Sequence, residues 1–290
     1  MNVRRWTCVL LMGCGAPGAD TTSSSTPGPT STTEPPDPHP AIDDLEALLH
    51  AAFDQARALD GAKLQRAYEQ AMALGAAGCP STADANGDSW FDSCTTPDGA
   101  QFHGYAYALG DDGTAGYGAY WYVSGEATIL DPSGEQLLLG GDAGWGAYSD
   151  GTYDWVYHYA YGTFAADGAS QQSPWLAGGD SVAFYAQLAT DQTSGGHYAY
   201  LDGSLGGLLG DRAQAADFVD VEMWTDELNE DMGASCSSAP TGDVWLRTAS
   251  GDWVEVILRC APCGTALYGN EDLGSVCVDT SDWFEGEEQP

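Results

Sequence analysis

Pairs of a small polar residue and a glycine punctuate this chain from residue 98 onward. Asp98-Gly99, Asp112-Gly113, Ser133-Gly134, Asp150-Gly151, Asp167-Gly168, Asp202-Gly203 and Ser250-Gly251 each sit between β-rich runs. Such pairs supply the positive φ that a tight hairpin turn requires, because glycine has no Cβ to clash there. Many lie 14 to 21 residues apart, the length of one strand and one turn. Glycine reaches 38 of 290 residues, roughly twice its usual share, and much of it falls in these turns. The pattern predicts a mainly β protein, an antiparallel β meander that is either an open sheet or a barrel.

A different period precedes the strands. Ile42, Leu45, Leu48, Leu49, Phe53, Ala56 and Leu59 recur at helical spacing, and Leu64, Ala67, Tyr68, Ala71 and Met72 continue the stripe. Asp60-Gly61 splits the stretch into two helices or kinks one, and Gly75 with Gly78-Cys79-Pro80 ends it. Residues 41–78 are therefore expected as an N-terminal helix or helical hairpin packed on the sheet. Residues 79–235 follow as the β-rich domain. Residues 236–290 are expected as a small C-terminal β unit with its own disulfides and an acidic tail, built on a hairpin around Ala249-Ser-Gly-Asp252.

The sharpest pattern inside the strands is Tyr153, Trp155, Tyr157, Tyr159 and Tyr161. Alternate residues of a strand share a face, so all five rings point the same way. Such a row can stack on sugar rings, or it can be a cross-strand ladder or one wall of a core. Three related runs, His103-Gly-Tyr-Ala-Tyr, His158-Tyr-Ala-Tyr and His197-Tyr-Ala-Tyr, suggest a weak internal repeat. Their histidines differ in strand phase: His103 shares a face with its tyrosines, whereas His158 and His197 oppose theirs. That argues against a shared metal site. Asp84, Asn86, Asp88 and Asp92 place oxygen side chains at positions 1, 3, 5 and 9 of a calcium-loop pattern. Ser89 stands where glycine is usual and Thr95 where a bidentate acid belongs. Calcium is thus the one cofactor suggested, and an ordinary Asp/Asn/Gly turn explains the same letters. Nucleophile elbow, HExxH, P-loop and GxGxxG motifs are all absent from the sequence. Carboxylate pairs that could serve a glycosidase carry little information among 43 acids.

Charge constrains partners more firmly. With 43 Asp and Glu against 8 Lys and Arg, the formal net charge is −35. Such a surface repels nucleic acid and anionic lipid. Hydrophobic residues at 43% and aromatics at 11% are too many for a disordered chain.

The N-terminus runs Met1-Asn-Val-Arg-Arg-Trp-Thr-Cys-Val-Leu-Leu-Met-Gly-Cys14. Two arginines precede a short apolar segment, as in a secretory signal, and the segment is far too short to span a bilayer. Leu11-Met-Gly-Cys14 resembles the lipobox of bacterial lipoprotein signal peptides. That resemblance implies cleavage after residue 13, lipidation of Cys14 and membrane attachment through acyl chains. Gly15, where an inner-membrane retention signal would usually place Asp, points to the outer membrane or cell surface. Residues 14–40 are rich in Ser, Thr, Pro and Gly and read as a tether.

Cys79, Cys94, Cys236, Cys260, Cys263 and Cys277 remain once the leader and Cys14 are set aside. In an exported chain an even set reads as disulfides, with Cys79–Cys94 as a local bridge. The last four then pair among themselves, most simply as Cys236–Cys260 and Cys263–Cys277. The rival is zinc at Cys260-Ala-Pro-Cys263, although the other two cysteines form no second CxxC. Together the lipobox, the tether, the single lysine (Lys63) and the CxxCG…GxxC tail resemble secreted lipoproteins common in high-GC soil bacteria of the myxobacterial kind. The resemblance covers mostly the ends and implies no activity. The expected function is a non-catalytic surface or outer-membrane lipoprotein for adhesion, envelope structure or ligand capture. The alternative is a glycan-binding protein or glycosidase that uses the aromatic face.

Overall fold

A computed structural model describes residues 39–81, 88–113, 118–166, 181–211, 213–225 and 239–284. Two helices come first, α1 (Ile42–Arg57) and α2 (Gly61–Met72). Asp60 lies between them in extended conformation, and its carboxylate accepts from the backbone N–H groups of Ala62 and Lys63 at 2.9 and 3.2 Å. This is an N-cap, so the helical stripe becomes a hairpin of two helices at the expected point. Gly61 opens α2 against the sheet. A Cβ there would lie 2.7 Å from the Gly144 carbonyl oxygen and 2.8 Å from Trp145 Cβ, so glycine permits the close approach.

Among the described residues twelve strands follow, each antiparallel to the one before it. They are β1 (Asp88–Thr95), β2 (Gln101–Asp112), β3 (Ala119–Leu130), β4 (Gln136–Ser149), β5 (Tyr153–Ala166) and β6 (Ser181–Asp191). Then come β7 (His197–Gly206), β8 (Ala215–Trp224), β9 (Thr241–Arg247), β10 (Trp253–Arg259), β11 (Cys263–Tyr268) and β12 (Glu271–Cys277). Their order in the sheet is their order in the chain, with β1 and β12 as its two edges. The meander is open. The strands of 241–277, expected within a unit of their own, continue the same sheet, because β9 pairs with β8 from Ala215↔Arg247 to Glu222↔Thr241.

Asp98-Gly99, Ser133-Gly134, Asp150-Gly151 and Ser250-Gly251 all fall at turns between strands, each glycine at positive φ. Gly113 has positive φ at the end of β2, and Asp167-Gly168 lies outside the described residues. Asp202-Gly203 is not a turn. It sits inside β7 at a register shift, with φ +103° at Gly203 and the Ala183 carbonyl of β6 occupying the space a Cβ would need. Glycine here marks a close approach of two backbones. The β6–β7 turn instead passes through Gln192–Gly196, where the Asp191 carboxylate accepts from the Thr193 and Ser194 N–H groups at 2.6 and 2.9 Å.

That device recurs and accounts for part of the acidic composition. Asp131 accepts from the Ser133 and Glu135 N–H groups and the Ser133 hydroxyl. Asp150 accepts from Thr152 and Tyr153 N–H. Hydrogen bonding to the ionised form holds both carboxyls below the usual range, led by the Ser133 hydroxyl at Asp131 and the Tyr153 N–H at Asp150. An aspartate that closes its own turn needs no basic partner.

One face of the sheet carries the core. α2 packs on β3, β4 and β5, and α1 on β7, β8, β9 and β12. Leu45, Leu48, Leu49 and Phe53 of α1, and Leu64 and Tyr68 of α2, are buried against Trp90, Phe102, Ile129, Leu139, Phe184 and Phe218. Burial of each such side chain is worth about 1.5–3 kcal/mol, which makes this contact the main stabilising term of the fold. The Trp90 indole N–H donates to the buried Tyr68 hydroxyl at 3.3 Å. Among the described residues no helix is long and apolar enough to cross a membrane.

Disulfides join Cys79 to Cys94 and Cys263 to Cys277. Cys260 is also disulfide-bonded, which leaves no thiolate pair at Cys260-Ala-Pro-Cys263 for zinc. Cys236, its expected partner, lies outside the described residues. Such bridges fit a chain that folds in an oxidising compartment.

Candidate functional site

The helices cover one face of the sheet, and the aromatic row lies on the other. In β5 the side chains of Val156, His158, Ala160 and Phe164 alternate towards the helices, where Ala160 and Phe164 are fully buried. Tyr153, Trp155, Tyr157, Tyr159 and Tyr161 alternate away from them. The first four are partly exposed and Tyr161 is 49% exposed. The row therefore does not wall the core.

Register adds rings that the β5 pattern alone did not reveal. Tyr148 of β4 pairs with Trp155, Tyr185 of β6 pairs with Tyr159, and Tyr198 and Tyr200 of β7 continue the same face. Ring centroids are 6.2 Å apart for Tyr148–Trp155, 6.3 Å for Tyr157–Tyr185, 6.3 Å for Tyr185–Tyr200 and 6.4 Å for Trp155–Tyr198. Further across, Tyr107 of β2 lies 5.6 Å from Tyr122 of β3. These separations fit the range of favourable aromatic pairs. The period-2 phase of Tyr198 and Tyr200 in the third His-Tyr-Ala-Tyr run was the signal that could have extended the row.

Glycines let the rings lie flat. Gly144 and Gly146 of β4 fall between the aromatic rows of β3 and β5, paired with Tyr122 and Tyr120 on one side and Tyr159 and Tyr157 on the other. A Cβ on Gly146 would run into the Tyr157 ring. The ring thus covers bare backbone.

Polar groups fix the platform at its margins. The Trp155 indole N–H donates to Asp150 at 3.0 Å, tying that ring to the β4–β5 turn. Tyr198 and Tyr200 donate to Glu222 and Asp220 of β8 at 2.9 and 2.8 Å. Burial, followed by these hydrogen bonds, raises both hydroxyls above their usual range. Burial also pushes Tyr185 up to about 12, and a hydrogen bond donated by the Tyr122 hydroxyl to Tyr107 leads the rise of Tyr122 to about 12. These hydroxyls stay protonated at any physiological pH; those of Tyr198 and Tyr200 give their one proton to the carboxylates and keep lone pairs with which to accept.

The remaining candidates are scattered. His103 lies on the solvent face beside Ser93 Oγ at 3.0 Å, His197 meets Thr190 Oγ1 at 3.1 Å, and His158 points beneath the sheet to the start of α2. The three do not converge, as strand phase indicated. Of the calcium-pattern residues, Asp84 and Asn86 lie outside the described residues, as does the Asp88 side chain. The Asp92 carboxylate accepts from Ser81 N–H at 3.1 Å and Ser93 N–H at 2.7 Å, which holds it below the usual range. No group of three or more His, Cys, Asp or Glu suited to a metal occurs among the described residues. Cys14 also lies outside them.

Comparison with protein-family models, curated proteins and solved structures gives no match.

Proposed function

We propose that this chain is a non-catalytic, lipid-anchored envelope protein whose uncovered aromatic sheet face adheres to polysaccharide. The observation that carries the reading is the side of the sheet on which the row lies. A continuous field of Tyr and Trp rings faces away from both helices, edged by carboxylates that can accept from sugar hydroxyls. Sugar rings present flat C–H faces to such rings and hydroxyls to the phenols beside them. A face spread over several neighbouring strands suits an extended polymer lying along it rather than a short ligand held in a cleft. Its net charge of −35 favours neutral or cationic polymers over acidic ones.

Affinity electrophoresis through gels containing neutral polysaccharides tests this. The chain should be retarded by at least one of them, and Tyr148→Ala with Tyr161→Ala should weaken retention about tenfold, at roughly 0.7 kcal/mol per ring. Both side chains are over 40% exposed, so folding should be unaffected. Equal retention of wild type and double variant would rule the face out.

Attachment rests on the Leu-Met-Gly-Cys run. Cys14→Ala should shift the protein from the membrane fraction to the soluble exported fraction. A mature N-terminus elsewhere than Cys14, or one without acyl mass, would refute the anchor.

A further inference from the structure

Beneath the sheet, on the face opposite the aromatic field, the corner between α1 and α2 leaves a cavity of about 700 Å³. Its apolar wall comes from Trp145, Val156, Ala186 and Leu188 of β4 to β6. Arg57, Lys63 and Arg66 also line it, three of the eight basic residues in a chain of net charge −35. Asp60 and Glu69 are the acids of the lining.

The acids are already engaged. Asp60 uses one carboxylate oxygen to cap α2, while its other oxygen lies 3.9 Å from Lys63 Nζ and 3.6 Å from Arg66. Glu69 accepts from Gln65 Nε2 at 2.7 Å, and Gln65 in turn accepts the Trp145 indole N–H at 2.8 Å. Arg57 is held by Asp282 at 3.0 Å. Lys63 and Arg66 thus share one carboxylate oxygen, and their side chains are 44% and 59% exposed, free to turn inward. Here the basic side chains of the lining offset its acids, so a small anion meets less repulsion than the net charge of −35 alone would give.

His158 supplies a neutral donor at the same place. Its Nδ1 accepts the Gly61 N–H at 3.0 Å, so the ring carries its proton on Nε2. Burial first, and Lys63 also, favour the uncharged ring, although Asp60 opposes them.

We infer that this cavity binds a small carboxylate with a flat apolar body, the body against Trp145, Val156 and Leu188 and the carboxylate between Lys63, Arg66 and the His158 N–H. The site is independent of the polysaccharide reading, since it lies on the other face and shares no side chain with it.

Calorimetry with the oxidised full chain tests the inference, using naphthalene-2-carboxylate and its neutral analogue 2-naphthamide as probes. The carboxylate should bind about tenfold more tightly than the amide, the effect of one charge-assisted contact. Lys63→Gln with Arg66→Gln should erase that preference while leaving the melting temperature within a few degrees of wild type. An amide that binds as tightly as the carboxylate would overturn the proposal, and so would the absence of carboxylate binding at millimolar concentration. A preference that survives the double variant would overturn it as well. The wild-type comparison decides without reference to any variant.

Discussion

Phe218→Ala should lower the unfolding free energy by about 3–5 kcal/mol, the largest loss expected of any single substitution discussed. Phe218 is 1% exposed at the centre of β8. Its ring lies 5.3 Å from Phe53 of α1 and 5.4 Å from Phe184 of β6, both edge-on, and Phe53 in turn lies 5.8 Å from Trp283. Truncation removes the ring through which helix, sheet and C-terminal segment meet. It leaves a cavity whose walls, fixed by β-sheet hydrogen bonds, collapse only partly. Urea titration should show a lower midpoint at an unchanged slope. Phe218→Leu, which retains much of the volume, should cost under about 1.5 kcal/mol. Val219→Ala, at a neighbouring site 39% exposed, should change stability by no more than about 0.5 kcal/mol. A loss below 1 kcal/mol in Phe218→Ala would mean that α1 is not anchored through this cluster.

Removal of the Cys79–Cys94 bridge has the second largest expected effect. The bridge spans 15 residues and ties the segment after α2 to β1, an edge strand that among the described residues is hydrogen-bonded to β2 alone. In the chain-entropy model a loop of this size contributes about 3 kcal/mol, by restricting the unfolded chain. Cys79→Ala with Cys94→Ala should therefore lower stability by that amount in the same titration. Cys263–Cys277 closes a loop of nearly equal length, 14 residues, between directly paired residues of β11 and β12. If chain entropy dominates, removing either bridge should have a similar effect. Loss of much more at the first would show that β1 depends on its bridge to remain paired.

Much of the fold was legible because its signals are local. The helical stripe from Ile42 to Met72, its interruption at Asp60-Gly61 and the glycine turns each follow from the conformational preference of one or two residues. Gly203 misled for the same reason. Glycine permits a tight turn and equally permits close approach of a neighbouring strand, and only the Ala183 carbonyl opposite distinguishes the two. The site was less legible. Strand phase put Tyr153 to Tyr161 on one face, but phase is relative and does not say which face the helices cover. The cavity at the helical corner had no sequence signal, since Lys63 stood out only as the single lysine and His158 only as one member of a weak repeat.

By itself, then, the sequence determined the strand-and-turn meander, the helical hairpin, the Cys79–Cys94 pairing and the common face of the five aromatic residues. Each depends on preferences within a short span of chain. The tertiary structure alone decided that the sheet stays open and that residues 241–277 extend it. It also decided that the aromatic face is the one turned away from the helices and that three basic side chains gather over an apolar floor on the other. Those outcomes depend on which surfaces meet across 80 to 231 residues of chain, as when Gln65 receives Trp145, Arg57 meets Asp282 and Glu46 accepts the Cys277 N–H. Burial of apolar area sets such meetings, and it is a property of paired surfaces rather than of any one segment.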